Sequence, residues 1–148
     1  MPVMNENSMQ SHRIQDWQQI LNDLFSKIRV WVSNRDCAVK LIDKTYEVNG
    51  SGRTTIPALL IQEEALKMIV DPIDWDPVKS ESIVDLYIMP QYEDGARFFY
   101  GQNEWRLYWV DPEILYPREL QRTDGSTNLD SQNFNRLLDG LKQNAVSL

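Results

Sequence analysis

The sequence contains a single cysteine, Cys37, and a single histidine, His12. One cysteine cannot form an intrachain disulfide, and a thiolate-rich zinc site needs several cysteine ligands at short spacing. A nucleophilic cysteine or serine needs an adjacent base, and the only histidine lies in a polar N-terminal stretch. The sequence therefore predicts neither a nucleophilic active site nor a cofactor, and we interpret Cys37 as a small buried hydrophobic residue.

Long apolar runs and basic clusters are also missing. No run approaches the length of about 18 residues that a membrane-spanning helix needs, and the first residues lack the basic and apolar regions of a signal peptide. The 15 basic residues are scattered among 22 acidic ones, and the net charge of -7 gives a field that repels phosphate backbones. We expect an acidic cytoplasmic protein that binds neither nucleic acid nor membranes.

The overall amino-acid composition is that of a globular protein. Hydrophobic residues make up 42% and charged residues 25% of the chain, which is close to the average of folded domains. A chain of this length buries about two-thirds of its unfolded surface without disulfides or metals. We expect one domain over residues 1–148, with residues 1–8 as a flexible tail.

The N-terminal part repeats apolar residues with the period of an amphipathic helix between residue 9 and about residue 33. The stripe consists of Ile14, Trp17, Leu21, Leu24, Ile28 and Trp31. Ile20 and Phe25 widen it beyond a coiled-coil seam, which favours packing on a sheet over a helix-mediated homodimer. Ser8 or Ser11 is a candidate N-cap.

A second amphipathic helix is predicted near the C-terminus. Its buried stripe consists of Phe134, Leu137, Leu138, Leu141 and Ala145. Asn128, Asp130 or Ser131 is a candidate N-cap.

Between Cys37 and Val110 the apolar period changes to two, which predicts an antiparallel meander of five or six strands. The alternation changes phase near Asp43, which predicts a bend or a bulge. Pro57 cannot donate a ladder hydrogen bond, so its strand is an edge there or starts nearby. Residues 71–82 contain two prolines and are predicted to form a loop. We expect an α+β fold in the order helix, meander, helix; the alternative is a strongly curved sheet or small barrel capped by a helix.

The last three strands have the clearest predicted register. A turn at Gln102 and Asn103 pairs Phe99 with Arg106 and Arg97 with Tyr108. A loop at residues 91–95 pairs Leu86 with Tyr100 and Ile88 with Phe98. One sheet face then carries Asp85, Tyr87, Arg97, Phe99, Arg106 and Tyr108.

Arginines stacked on aromatic rings suit the recognition of planar or anionic groups, and they are also common at interaction hot spots. The competing interpretation is that these are cross-strand pairs that stabilise an exposed face, or that a helix covers them. We interpret this face as the candidate site of a non-catalytic domain that binds another protein or a small ligand; a homodimer is also possible.

Three carboxylates in the predicted loop, those of Asp71, Asp74 and Asp76, suggest a weaker alternative. Oxygen ligands suit Ca²⁺ or Mg²⁺, but the cluster lacks the spacing and the central glycine of an EF-hand loop. The alternative function is a carboxylate- or metal-dependent enzyme. Trp75 lies between these residues and is either a plug over the sheet edge or an exposed binding anchor.

Overall fold

The computed structural model describes residues 6–48, 52–109 and 125–146. These residues form an N-terminal helix, a seven-stranded antiparallel sheet and a C-terminal helix, as an α+β fold. Each strand pairs with the next one along the chain, and the sheet is not closed, so the barrel alternative is wrong. The elements are α1 (Glu6–Trp31), β1 (Cys37–Val48), β2 (Gly52–Glu63), β3 (Leu66–Asp76), β4 (Glu81–Ile88), β5 (Glu93–Gly101), β6 (Glu104–Trp109), β7 (Thr127–Asn128) and α2 (Ser131–Val146).

The seventh strand was not predicted, because a two-residue strand carries no periodicity that a sequence pattern can detect. The predicted tail at residues 1–8 lies partly outside the described residues, and its last three residues belong to α1.

Helix α1 packs on the sheet through the predicted stripe. Five of its six stripe residues are buried together with Phe25, and Trp31 is half-buried against the core. The predicted N-cap is wrong: α1 already begins at Glu6, so Ser8 and Ser11 lie inside the helix. The helix ends in a turn in which the hydroxyl of Ser33 donates to the carbonyl of Val30.

Helix α2 packs on the same sheet face as α1. Phe134 contacts Trp31 of α1 and Phe98 of β5, with ring centroids 5.8 Å and 6.1 Å apart. The predicted stripe is buried at residues 134, 137, 138 and 141, whereas the side chain of Ala145 lies outside the described residues. Asp130 is the N-cap, because its Oδ1 accepts a hydrogen bond from the amide of Asn133 at 2.9 Å.

The β1–β2 hairpin changes its buried side without a bulge. Its register is unbroken from the Cys37–Glu63 pair to the Val48–Gly52 pair, so the bulge that the phase change permitted near Asp43 is absent. The phase change itself is present: Val39 and Tyr46 both pack against the core although they lie on alternate sides of the strand. The physical reason is that the β2–β3 ladder stops at the Leu59–Val70 pair, so the far half of the hairpin leaves the main sheet.

Pro57 lies in this far half, where β2 pairs with β1 alone, which confirms the predicted edge. Helix α1 binds the strand there, since Gln18 Nε2 donates to the carbonyl of Thr55 at 2.7 Å.

The predicted loop at residues 71–82 is wrong. Strand β3 continues to Asp76 and β4 begins at Glu81, so the turn occupies only residues 77–80. A bulge shifts the register between Pro72 and Asp74. Bulges interrupt the regular ladder and therefore tolerate proline within a strand.

The β4–β5 register differs from the predicted one by four residues. Leu86 pairs with Ala96 instead of Tyr100, because the turn occupies residues 89–92 and β5 begins at Glu93. Four is an even number, so every side chain keeps its predicted face. The β5–β6 register is confirmed at every predicted pair.

Candidate functional site

The six residues predicted to share one sheet face lie together in the structure. We call the face opposite the helices the outer face. Asp85, Arg97 and Tyr108 form one row across β4, β5 and β6, and Phe99 pairs with Arg106 in another. Neither of the two described helices covers this face, because both pack on the other side of the sheet through residues such as Phe98 and Ser82.

Asp85 and Arg97 form a bidentate ion pair at the centre of the outer face. Arg97 Nε donates to Asp85 Oδ1 at 2.8 Å, and Nη2 donates to Oδ2 at 3.0 Å. The hydroxyl of Tyr87 also donates to Oδ2, at 3.1 Å. The Asp85 side chain is 10% exposed whereas that of Arg97 is 54% exposed. The pair therefore presents its cationic partner to the solvent.

The electrostatics of this group follow from the same contacts. The hydrogen bonds to Asp85 raise the pKa of Arg97 above its usual value. Burial, followed by the charge of Asp85 and the hydrogen bond to it, raises the pKa of Tyr87 to about 12. Both groups keep their protons at neutral pH, so both continue to donate to Asp85 there.

A shallow hollow lies beside the ion pair. The Arg106 guanidinium lies over the ring of Phe99, 4.8 Å from its centroid. Together with Arg97 and Tyr108, and with Ile83 from β4, these residues line a hollow of about 260 Å³. Ile83 was not singled out in the sequence, although strand alternation from Asp85 places it on this face.

The three carboxylates of the weaker alternative do not lie in a loop. Asp71 accepts a hydrogen bond from Lys44 Nζ at 2.6 Å, and Asp76 accepts from the amides that follow it in the turn. Asp74 is exposed. They follow one another along β3, and the bulge between Pro72 and Asp74 lies between Asp71 and the other two. Within residues 6–48, 52–109 and 125–146, no three potential ligands form a group that could hold a metal ion.

Trp75 is a plug and not an exposed anchor. It is 8% exposed, and its ring stacks on that of Trp17 with centroids 6.0 Å apart and planes 6° apart. The bulge before it shifts the strand by one residue and turns Trp75 to the helix face. It therefore does not belong to the outer face.

A larger groove lies on the helix face and was missed in the sequence. It has a volume of about 470 Å³ and separates α1 from the turn between β5 and β6. Trp31, Tyr100 and Trp105 line it, together with charged side chains that include Asp23 and Lys27. A local sequence pattern gives no signal for it, since the groove exists only where a helix and a hairpin tip meet.

Cys37 is half-buried and packs against the core. Burial, followed by the charge of Glu63, raises the pKa of its thiol. A thiol with a raised pKa is a poor nucleophile at neutral pH. The interpretation of Cys37 as a buried hydrophobic residue is confirmed only in part, because the side chain packs against the core but is half-exposed. The side chain of His12 lies outside the described residues.

The chain matches no model of a known protein family, and no curated protein or solved structure proved similar to it. None of the helices in the described part of the chain is long and apolar enough to cross a membrane.

Proposed function

We propose that the protein is a non-catalytic interaction module that docks a protein partner through the outer face. The observation that carries this proposal is the hollow beside the Asp85–Arg97 pair, which lies on the sheet face opposite both described helices. Arginine and tyrosine are enriched at the few residues that dominate binding energy in protein interfaces. The hollow of about 260 Å³ is smaller than the range of about 300–1,000 Å³ typical of drug-sized ligand sites. Its size suits one anchoring side chain of a partner.

The hydrogen bonds and ion pairs that nearby carboxylates form within the protein support a non-catalytic role. Asp85 is buried and bound by Arg97 and Tyr87, and Asp71 is bound by Lys44. A general acid or base must be able to exchange a proton with a substrate, and these carboxylates hold the surface in place instead. We further propose a cytoplasmic location, supported by the single cysteine, and a partner other than nucleic acid, supported by the net charge of -7.

A second candidate function is small-ligand binding in the groove between α1 and the β5–β6 turn. Its volume of about 470 Å³ falls within the range of ligand sites. Its lining combines the Tyr100–Trp105 ring pair, with centroids 5.1 Å apart, and charged side chains.

Site-specific photo-crosslinking distinguishes these functions. A benzophenone amino acid is placed at Tyr108 in the hollow, at Asn103 in the groove, or at Val78, which is 80% exposed on the β3–β4 turn and serves as the control. Each full-length variant is irradiated in an extract of the native cells. We expect one defined protein adduct from Tyr108 and none from Val78.

An adduct of the same partner from all three positions contradicts docking through the outer face. A small-molecule adduct at Asn103, with no protein adduct at Tyr108, favours the groove. A Tyr108 adduct with a second copy of the chain identifies the partner as the protein itself, which makes the outer face a homodimer interface.

A further inference from the structure

Arg97 presents unused hydrogen-bond donors to the solvent from a fixed position. Its Nε–H and one Nη2–H bind Asp85, and in the part of the chain that the structure describes the other N–H groups of Arg97 make no hydrogen bond. A guanidinium has five donors in a rigid fork that matches a carboxylate. Because Asp85 already immobilises the side chain, a second carboxylate binds it at a small cost in side-chain entropy.

The surface beside these donors is apolar. Ile83, the ring of Phe99 and the ring of Tyr108 line the hollow, and the guanidinium of Arg106 lies over Phe99. An aromatic ring entering this hollow is buried against carbon atoms, and arginine faces stack favourably on it. The hollow accepts a ring and its rim accepts a negative charge.

We propose that the outer face recognises a protein segment that carries an aromatic side chain next to a carboxylate, with the ring in the hollow and the carboxylate on Arg97. This inference rests on the docking function proposed above. Charge complementarity supports it: the whole chain is acidic, yet the Asp85 carboxylate is buried and bound, so the ion pair presents the guanidinium of Arg97 at the rim of the hollow.

Four small probes test this chemistry on the full-length protein labelled with ¹⁵N. Phenylacetate, phenylacetamide and phenethylamine share a benzyl group and differ in charge, and acetate carries the charge without the ring. We expect phenylacetate to cause saturable NMR shifts at the Nε–H of Arg97 and Arg106 and at the amide of Phe99, with a Kd on the order of a millimolar. We expect the other three probes to bind there at least about tenfold more weakly.

Conservative variants test the geometry. Arg97→Lys keeps the charge but replaces the planar guanidinium with a compact ammonium group, which cannot bind a carboxylate through two parallel hydrogen bonds. We expect about tenfold weaker binding of phenylacetate. The control Arg53→Lys changes an arginine that is 74% exposed on β2, and we expect no change. Ile83→Trp fills the hollow and leaves Arg97 in place, so it is expected to abolish the advantage of phenylacetate over acetate. Thermal melts establish that each variant is folded.

Equal or tighter binding of phenethylamine or phenylacetamide overturns the inference, as does phenylacetate binding that Arg97→Lys leaves unchanged. If the probes fail in this way while the crosslinker at Tyr108 still captures a protein, docking stands and only the proposed partner chemistry fails. If phenylacetate binds as expected while the crosslinker captures no protein, the docking function fails and the outer face is a site for small aromatic acids.

Discussion

At the scale of single residues, Asp85 organises the outer face. A carboxylate that is only 10% exposed needs a charged partner, because burying an unpaired charge costs several kcal/mol. Arg97 is therefore part of the fold as well as part of the surface. Among the described residues, replacing Arg97 with alanine would leave the carboxylate with only the Tyr87 hydroxyl. A loss of binding in that variant would therefore be confused with a loss of stability.

The raised pKa of Tyr87 makes stability depend on pH in the alkaline range. The folded protein holds the phenol proton up to a pKa of about 12, whereas an unfolded tyrosine releases it near about 10. The stabilisation is therefore complete below about pH 10 and is lost as the pH rises towards about 12. We expect urea unfolding at about pH 9 and about pH 11 to show a larger loss of unfolding free energy for the wild type than for Tyr87→Phe.

Tyr92→Phe is the matched control, because Tyr92 packs beside Tyr87 but is 57% exposed. We expect it to lose as much unfolding free energy between these two pH values as the wild type does. An equal loss in the wild type and in Tyr87→Phe would show that the contact between Tyr87 and Asp85 does not act as described.

At the scale of elements, two bulges decide which side chains reach each face. The bulge in β3 after Pro72 turns Trp75 towards the helices, and the bulge in β5 at Gly95 lets Asp94 pair with Tyr87. Each inserted residue exchanges the faces of everything that follows it. Without the β3 bulge, strand alternation would place Trp75 on the outer face.

Gly95 fits its bulge because it has no side chain. A Cβ at this position would lie 2.7 Å from Leu86 Cδ2 and 3.1 Å from the Leu86 carbonyl oxygen. Overpacking a buried site costs about 1–3 kcal/mol, so we expect Gly95→Ala to lower the urea-unfolding free energy by that amount. The change should be smaller in a Leu86→Val background, which removes the nearest atom. An equal cost in both backgrounds would contradict this explanation.

At the scale of the whole molecule, Arg35 joins three distant elements. It follows α1, and its guanidinium donates to both oxygens of Glu63 at the end of β2 and to Asp139 of α2. The Glu63 side chain is 7% exposed. The network fixes both helices against the end of the sheet, on the side opposite the outer face.

Removing Arg35 leaves the Glu63 carboxylate buried without its cation. Breaking such a pair costs about 3–5 kcal/mol, and we expect Arg35→Ala to lower the urea-unfolding free energy by roughly the lower of these values and to increase amide hydrogen exchange in α2. Arg53→Ala is the control, since its pair with Glu47 is exposed and 3.5 Å long; such pairs contribute about 0–1 kcal/mol. Similar costs for both variants would show that the Arg35 network does not join the elements.

The features that depend on neighbouring residues could be predicted from the sequence. Helical periodicity marked the buried stripes of α1 and α2, and a turn at Gln102 and Asn103 fixed the β5–β6 register. Both turn residues have positive φ, at 53° and 60°, as a two-residue hairpin turn of type I′ requires. Because strand alternation is also local, the six residues of the outer face were assigned to one face even though the β4–β5 pairing was displaced.

The features that depend on distant contacts could not be predicted from local sequence patterns. The choice of face for the helices, the burial of Trp75 against Trp17, and the groove beside Trp31 all require elements that are far apart in the chain. The Arg35–Asp139 contact spans 104 residues. Single bulged residues in β3 and β5 then set the final registers, and a residue that is inserted into a ladder leaves almost no trace in hydrophobic periodicity.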